Sequence, residues 1–166
     1  SDEQYILESV KKNISISTNF IESYDQFLFH PDDIPYNNYG ELPEVFTNFR
    51  KKCENQVAIR SLTSIEKIMS SDNLVLNKTD IPTLKDLDLV DFITDKRTAF
   101  PFVGGEVAAL DRIQNYFWET KKLAFYKKTR NGLVGKDYSS KLSAWLANGS
   151  ISPRTIYWEV KKFEDE

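Results

Sequence analysis

The clearest hydrophobic period in the chain lies in "FPFVGGEVAALDRIQNYFWET". Val107, Leu110, Ile113 and Phe117 are spaced three, three and four apart, which predicts one apolar face of a helix. Glu106 falls in its first turn, where a carboxylate suits the positive end of the helix dipole. Leu123, Phe125 and Tyr126 mark a second helix over 121–129, closed by the turn signal Asn131-Gly132. Ile156, Val160 and Phe163, flanked by Tyr157 and Trp158, predict a final helix capped by Ser152, with Pro153 in its first turn. At the other end, Ile6, Leu7 and Val10 predict a helix over 3–12. Two short apolar runs follow, "ISIST" and "DQFLFH", and both read as strands.

The middle of the chain is less regular. "HPDDIPYNNYGELP" is a loop by its Pro, Asn, Asp and Gly content. A helix is expected after Pro43, with Val45, Phe46, Phe49 and Cys53 on one side, so Cys53 reads as a small apolar residue. From Ser61 to Phe100 the chain is polar and weakly periodic, with "SIEKIM" and "TLKDLDLV" as short helical candidates. The expected fold class is therefore mainly α with a small β contribution. Its helix and strands at the start resemble the tail of an α/β unit, too small to form a sheet alone.

Composition narrows the chemistry. The 166 residues are 40% hydrophobic and 28% charged, an ordinary globular balance. No run approaches the roughly 20 apolar residues of a bilayer span. The start, "SDEQYILESVKKN", is too acidic and polar for a signal peptide, and it lacks Met, so the chain is expected to be an internal piece. One cysteine permits no internal disulfide and fits a reducing compartment: intracellular, cytoplasmic in a bacterium, with an organelle as the alternative in a eukaryote. One histidine and one cysteine argue against a zinc site of the usual kind, so no metal is expected. His30 lies in "FLFHPDDIPY" without any G-x-S-x-G, which argues against a Ser-His-Asp triad.

Charge is unevenly spread. The net charge is −3, yet residues 121–154 carry eight bases and one acid, Asp137. Within them, "TRNGLVGKDYSSKLSAWLANGSISPR" concentrates glycines, hydroxyls and cations. Two readings fit. In the first, Ser139 or Ser140 caps a short helix through "KLSAWLAN", Gly149 stops it, and the lysines are merely solvated. In the second, the helix start with Ser139, Ser140, Ser143 and Lys141 is a site for phosphate or diphosphate. It is neither a P-loop nor a G-x-G-x-x-G fingerprint.

"FPFVGGEVAALDRIQNYFW" followed by "YKKTRNGLVGKDYSSKLSAWLANGSISPR" closely resembles the flavin-binding domain of the photolyase/cryptochrome family, and specifically its DASH type. "DQFLFHPDDIP" and "LPEVFTNFRKKCE" resemble the same proteins further upstream. The resemblance implies three parts: 1–36 as the end of the α/β antenna domain, 37–99 as the interdomain linker, and 100–166 as the start of the helical FAD-binding domain. It implies FAD as cofactor, contacted by Tyr126 and by Ser139, Ser140, Lys141, Leu142 and Ser143 of a T/S-S-[RK]-x-S turn. It implies DNA as partner, with Arg130 touching it. The activity implied is light-driven repair of cyclobutane pyrimidine dimers, mainly in single strands, or blue-light sensing. A folate-type antenna chromophore is expected of the full-length proteins, not of this chain alone. No catalytic residue is expected here, and Trp118, Trp145 and Trp158 are expected to be core aromatics, the family's relay tryptophans lying beyond Glu166. Val103 stands where arginine is common, Leu142 and Ala144 replace Phe and Pro, and Asn148 and Ser150 replace apolar or small residues. A helical structural or interaction module without cofactor is the alternative reading.

Overall fold

The computed structural model describes residues 2–14, 18–63, 79–90 and 93–166. Among the described residues six α-helices follow one another: α1 (Asp2–Asn13), α2 (Phe46–Gln56), α3 (Glu106–Ile113), α4 (Tyr126–Thr129), α5 (Ser143–Ala147) and α6 (Pro153–Asp165). No strand forms among the described residues, so the fold is helical. Residues 25–30, expected as a strand, are irregular. A strand needs a neighbour to accept and donate its ladder hydrogen bonds, and none of the described segments pairs with this one in that way. Phe27 and Phe29 instead border a groove of about 540 Å³ with Ile34, Tyr36 and Phe49. The central residues of "ISIST" and all of "SIEKIM" lie outside the described residues. "TLKDLDLV" supplies a single 3-10 turn, Lys85–Leu87.

The core is built around α3. After Ile113 the helix widens into a π-helical turn, Gln114–Glu119. The widening shifts the register of everything after it. Ala109, Ile113, Tyr116 and Phe117 are all buried, while Val107 and Leu110 are exposed. The predicted face is thus half right: its C-terminal members pack, and its N-terminal members do not. Leu142, Trp145 and Ile151 complete the buried cluster, with Leu123, Ile156, Val160 and Phe163 packed against it. Helix α6 presents the apolar positions expected of it. Its Ser152 side chain accepts from the Arg154 N–H at 3.2 Å, and Pro153 occupies the first turn. Ser152→Ala is expected to cost about 1 kcal/mol, read as a lower urea midpoint with an unchanged slope.

Two ties, Arg154 with Asp25 and Trp158 with Arg60, join the segment before α3 to α6, and an ion pair within that segment steadies it. Arg154, nearly buried, pairs with Asp25. The Arg60 guanidinium grips Asp33 through two bonds of 2.6 and 2.7 Å, which holds that carboxyl below its usual range. The Trp158 indole N–H donates to the Arg60 carbonyl at 3.0 Å. In α2, Cys53 is fully buried and burial pushes its thiol up, so it behaves as an apolar residue. Phe49 is half-buried beside it, whereas Val45 and Phe46 are exposed. Helix α2 begins at Phe46, three residues beyond the proline expected in its first turn.

No described helix is long and apolar enough to cross a membrane. No group of three or more His, Cys, Asp or Glu that could hold a metal occurs among the described residues.

Candidate anion-binding loop

The basic, hydroxyl-rich stretch folds as a loop between α4 and α5. Thr129 closes it: its hydroxyl donates to the Tyr138 carbonyl at 2.8 Å and lies 3.2 Å from the Phe125 carbonyl in the turn before α4. The Gly132 amide donates to the Thr129 carbonyl at 2.8 Å. A Cβ at Gly132 would sit 2.9 Å from the Cβ of Tyr138, so the two limbs of the loop meet there and only glycine fits. Tyr126, at the first position of α4, is thereby tied to the segment that carries Ser139 and Ser140.

Helix α5 does not start as the serines suggested. Leu142 occupies the N-cap position, without a side-chain cap bond, and the helix has only five residues. Lys141 explains the change: it takes a left-handed φ of 63°, and Leu142 follows at φ −75° and ψ −11°. A left-handed residue followed by a right-handed one turns successive N–H groups toward a common concavity that suits an anion. A lysine there costs about 1–2 kcal/mol. Among the described residues, no backbone N–H from 139 to 143 donates to a backbone carbonyl. The hydroxyls of Ser139, Ser140 and Ser143 have no partner there either. Leu142 faces the other way, into the core. The Lys141 ammonium rests 3.4 Å above the Tyr138 ring centroid, held by cation–π attraction.

The residue that sequence reasoning missed is Arg112. It lies on α3 and is buried. Its Nε donates to the Ser140 carbonyl at 2.9 Å, and one terminal nitrogen donates to the carbonyls of Lys136 at 2.8 Å and Ser139 at 3.1 Å. The other terminal nitrogen faces Asp137 at 3.4 Å. The guanidinium also packs between Phe100 and Tyr116, 4.9 and 4.8 Å from their centroids. The available signal was an arginine one position before Ile113, one turn after Ala108 and Ala109 and one turn before Tyr116. The sole acid of the stretch, Asp137, is thus turned to a buried cation and does not oppose an incoming anion.

Beneath the loop, the Tyr116 hydroxyl is buried without a hydrogen-bond partner among the described residues. Burial pushes its phenol up, and nearby Thr129 and Arg112 reduce the effect without completing a hydrogen bond. The native state then holds that proton more tightly than the unfolded chain. Its contribution to stability is full below the ordinary value of 10.0 and is lost as pH rises past it. Tyr116→Phe is expected to stabilise the chain by about 1 kcal/mol and to flatten its alkaline loss of stability, as measured by urea titrations across pH.

Trp145 anchors α5. It is buried, its indole N–H donates to the Val103 carbonyl at 2.8 Å, and both Phe100 and Phe102 meet it edge-on. Trp118 packs on Phe163 and donates to Glu159 at 3.1 Å. Asn148 is exposed, and its side chain accepts from the Ser150 N–H and hydroxyl at 3.0 and 2.6 Å. Gly149, at φ 73°, ends the helix as expected. Arg130 is exposed on the outer side, near Lys127, Lys128 and Lys136 in sequence, all likewise exposed.

The donor set suits a diphosphate. Amides, hydroxyls and one ammonium lie along 139–143, while the carbonyls of 136, 139 and 140 are taken by Arg112.

No family model matches the chain. A protein named cryptochrome DASH from Danio rerio is 41% identical over 167 residues, covering 100% of this chain and 32% of the relative. A cryptochrome DASH from Xenopus laevis is 45% identical, covering 84% of this chain and 27% of its own length. One from Arabidopsis thaliana, named as chloroplastic/mitochondrial, is 39% identical over 99% of this chain and 28% of its own. The crystal structure of a Synechocystis cryptochrome superposes with a TM-score of 0.75 at 42% identity, over 86% of this chain and 29% of that one. The chain spans about a quarter to a third of the length of the curated relatives it matches. Matches of this identity along collinear sequence, with the same fold, place the chain in the photolyase/cryptochrome family as a segment of the DASH type.

Proposed function

We propose that this chain supplies one wall of an FAD site in a blue-light-absorbing protein that acts on DNA. The observation that carries the reading is the set of amides and hydroxyls at 139–143 that find no partner among the described residues. Ser139, Ser140, Ser143 and Lys141 would hold the diphosphate, Leu142 would fix the turn from below, and Tyr126 would lie alongside. Bound FAD would supply blue-light absorption and electron transfer, chemistry that no side chain of this segment performs. The chain's own part is to bind and orient, and no catalytic residue is assigned within it. Arg130, exposed and ahead of the loop, is the proposed DNA contact. With Lys127, Lys128 and Lys136 it would give sequence-independent, salt-sensitive affinity for phosphates.

In the full-length protein, residues 1–36 would end an α/β domain, 37–99 would link, and 100–166 would open the FAD-binding domain. The activity proposed is repair of pyrimidine dimers, favoured in single strands where a damaged base is most easily flipped out, or light sensing. The test is a full-length reading frame carrying this segment, purified and exposed to blue light with a dimer-containing oligonucleotide. Flavin absorbance with light-dependent dimer loss supports repair, and flavin absorbance alone supports sensing. A folded, colourless product would favour a structural module without cofactor.

A further inference from the structure

We infer that Arg112 is a positioning residue for the anion site: it sets which groups the 136–143 loop shows to solvent. The inference rests on the FAD reading of that loop. A loop segment carries as many carbonyl acceptors as amide donors, so a loop in an arbitrary shape offers an anion both attraction and repulsion. Here the guanidinium gathers the carbonyls of Lys136, Ser139 and Ser140 onto one buried fork. Their lone pairs are thereby aimed inward, and the amides and hydroxyls of 139–143 are left without acceptors among the described residues.

The fork is itself held rigidly. Phe100 and Tyr116 flank it, and Asp137 pairs with its remaining nitrogen at 3.4 Å. The three carbonyl bonds run in different directions from one planar group, which a lysine ammonium on a flexible stem does not reproduce. Asp137 has a second effect: turned to Arg112, it is withdrawn from the face that would meet phosphate. Arg112 touches no ligand itself, since it is buried behind the loop.

The experiment uses the full-length protein with Arg112→Lys and Arg112→Met. Circular dichroism verifies folding, flavin fluorescence titration gives FAD affinity, and trypsin cleavage after Lys136 and Lys141 in the flavin-free form reports loop order. Arg112→Lys keeps the charge and much of the stem, so it is the milder variant. It is expected to weaken FAD binding about tenfold and to speed loop cleavage similarly, as fits losing one or two bonds to a charged donor. Arg112→Met is expected to do more. A folded Arg112→Lys with wild-type affinity and wild-type cleavage overturns the inference. Should neither variant fold, Asp137→Asn takes their place, with about a threefold loss expected from a partly exposed partner, and unchanged values there overturn it. The cleavage arm needs no flavin. A wild type that never holds FAD would therefore sink the cofactor reading, while cleavage still decides the part played by Arg112.

Discussion

Trp145→Ala is expected to lower the unfolding free energy by about 3–5 kcal/mol, the range for removing a buried tryptophan. Three losses combine. The indole sits in the core cluster with Leu142 and Ile151, so its removal leaves a cavity. Its N–H bond to the Val103 carbonyl, 2.8 Å long, disappears and frees the approach to α3 that it held. Phe100 and Phe102 lose the edge-on ring that orders them, and Phe100 is one of the two rings against Arg112. Urea unfolding followed by circular dichroism measures the total. Trp145→Phe, which keeps most of the volume, separates the hydrogen bond from the cavity and is expected to cost far less. A Trp145→Ala variant as stable as wild type would mean that α5 is not anchored as described.

The second large effect concerns binding, not folding. Replacing Ser139, Ser140 and Ser143 together by alanine is expected to reduce FAD affinity of the full-length protein about 100-fold. Each hydroxyl-to-phosphate bond is worth about 0.5–1.5 kcal/mol, and every 1.4 kcal/mol is about tenfold in affinity. The backbone amides remain, so binding is weakened but not abolished. Stability should change by no more than about 0.5 kcal/mol, because none of the three hydroxyls makes an internal bond among the described residues. That contrast separates the two readings of the serines. If they were helix caps, the triple variant would destabilise the fold and leave FAD affinity alone.

What the sequence made legible follows physical lines. Helix α6 could be read closely because each of its signals is local: Ser152, Pro153 and the spacing of Ile156, Val160 and Phe163. Helix α3 could be found but not faced correctly. A π-turn inserts its extra residue after Ile113 without any mark in the apolar spacing, while Val107 and Leu110, ahead of it, stay exposed with nothing among the described residues packed over them. The 25–30 run was misread because β-propensity says nothing about whether a pairing partner is present. At the loop, the serines did signal polar chemistry, but their assignment as caps failed on the left-handed φ of Lys141, which no composition rule announces for lysine. Arg112 was invisible for a different reason. Its role comes from carbonyls 24 to 28 residues away, and those meet it only once α3 and the loop are packed together. The resemblance to DASH-type cryptochromes named the loop residues that could touch a cofactor. The structure adds the group behind them that orients the loop.

The central claim is that the amides and hydroxyls of 139–143 are kept free for a diphosphate. Amide hydrogen exchange on the full-length protein, with FAD bound and with FAD removed, tests it most directly. The account predicts fast exchange across 139–143 without FAD and strong protection with it, while Trp145 and α6 exchange alike in both. Equal exchange across 139–143 in the two states, with protection appearing elsewhere, would contradict it.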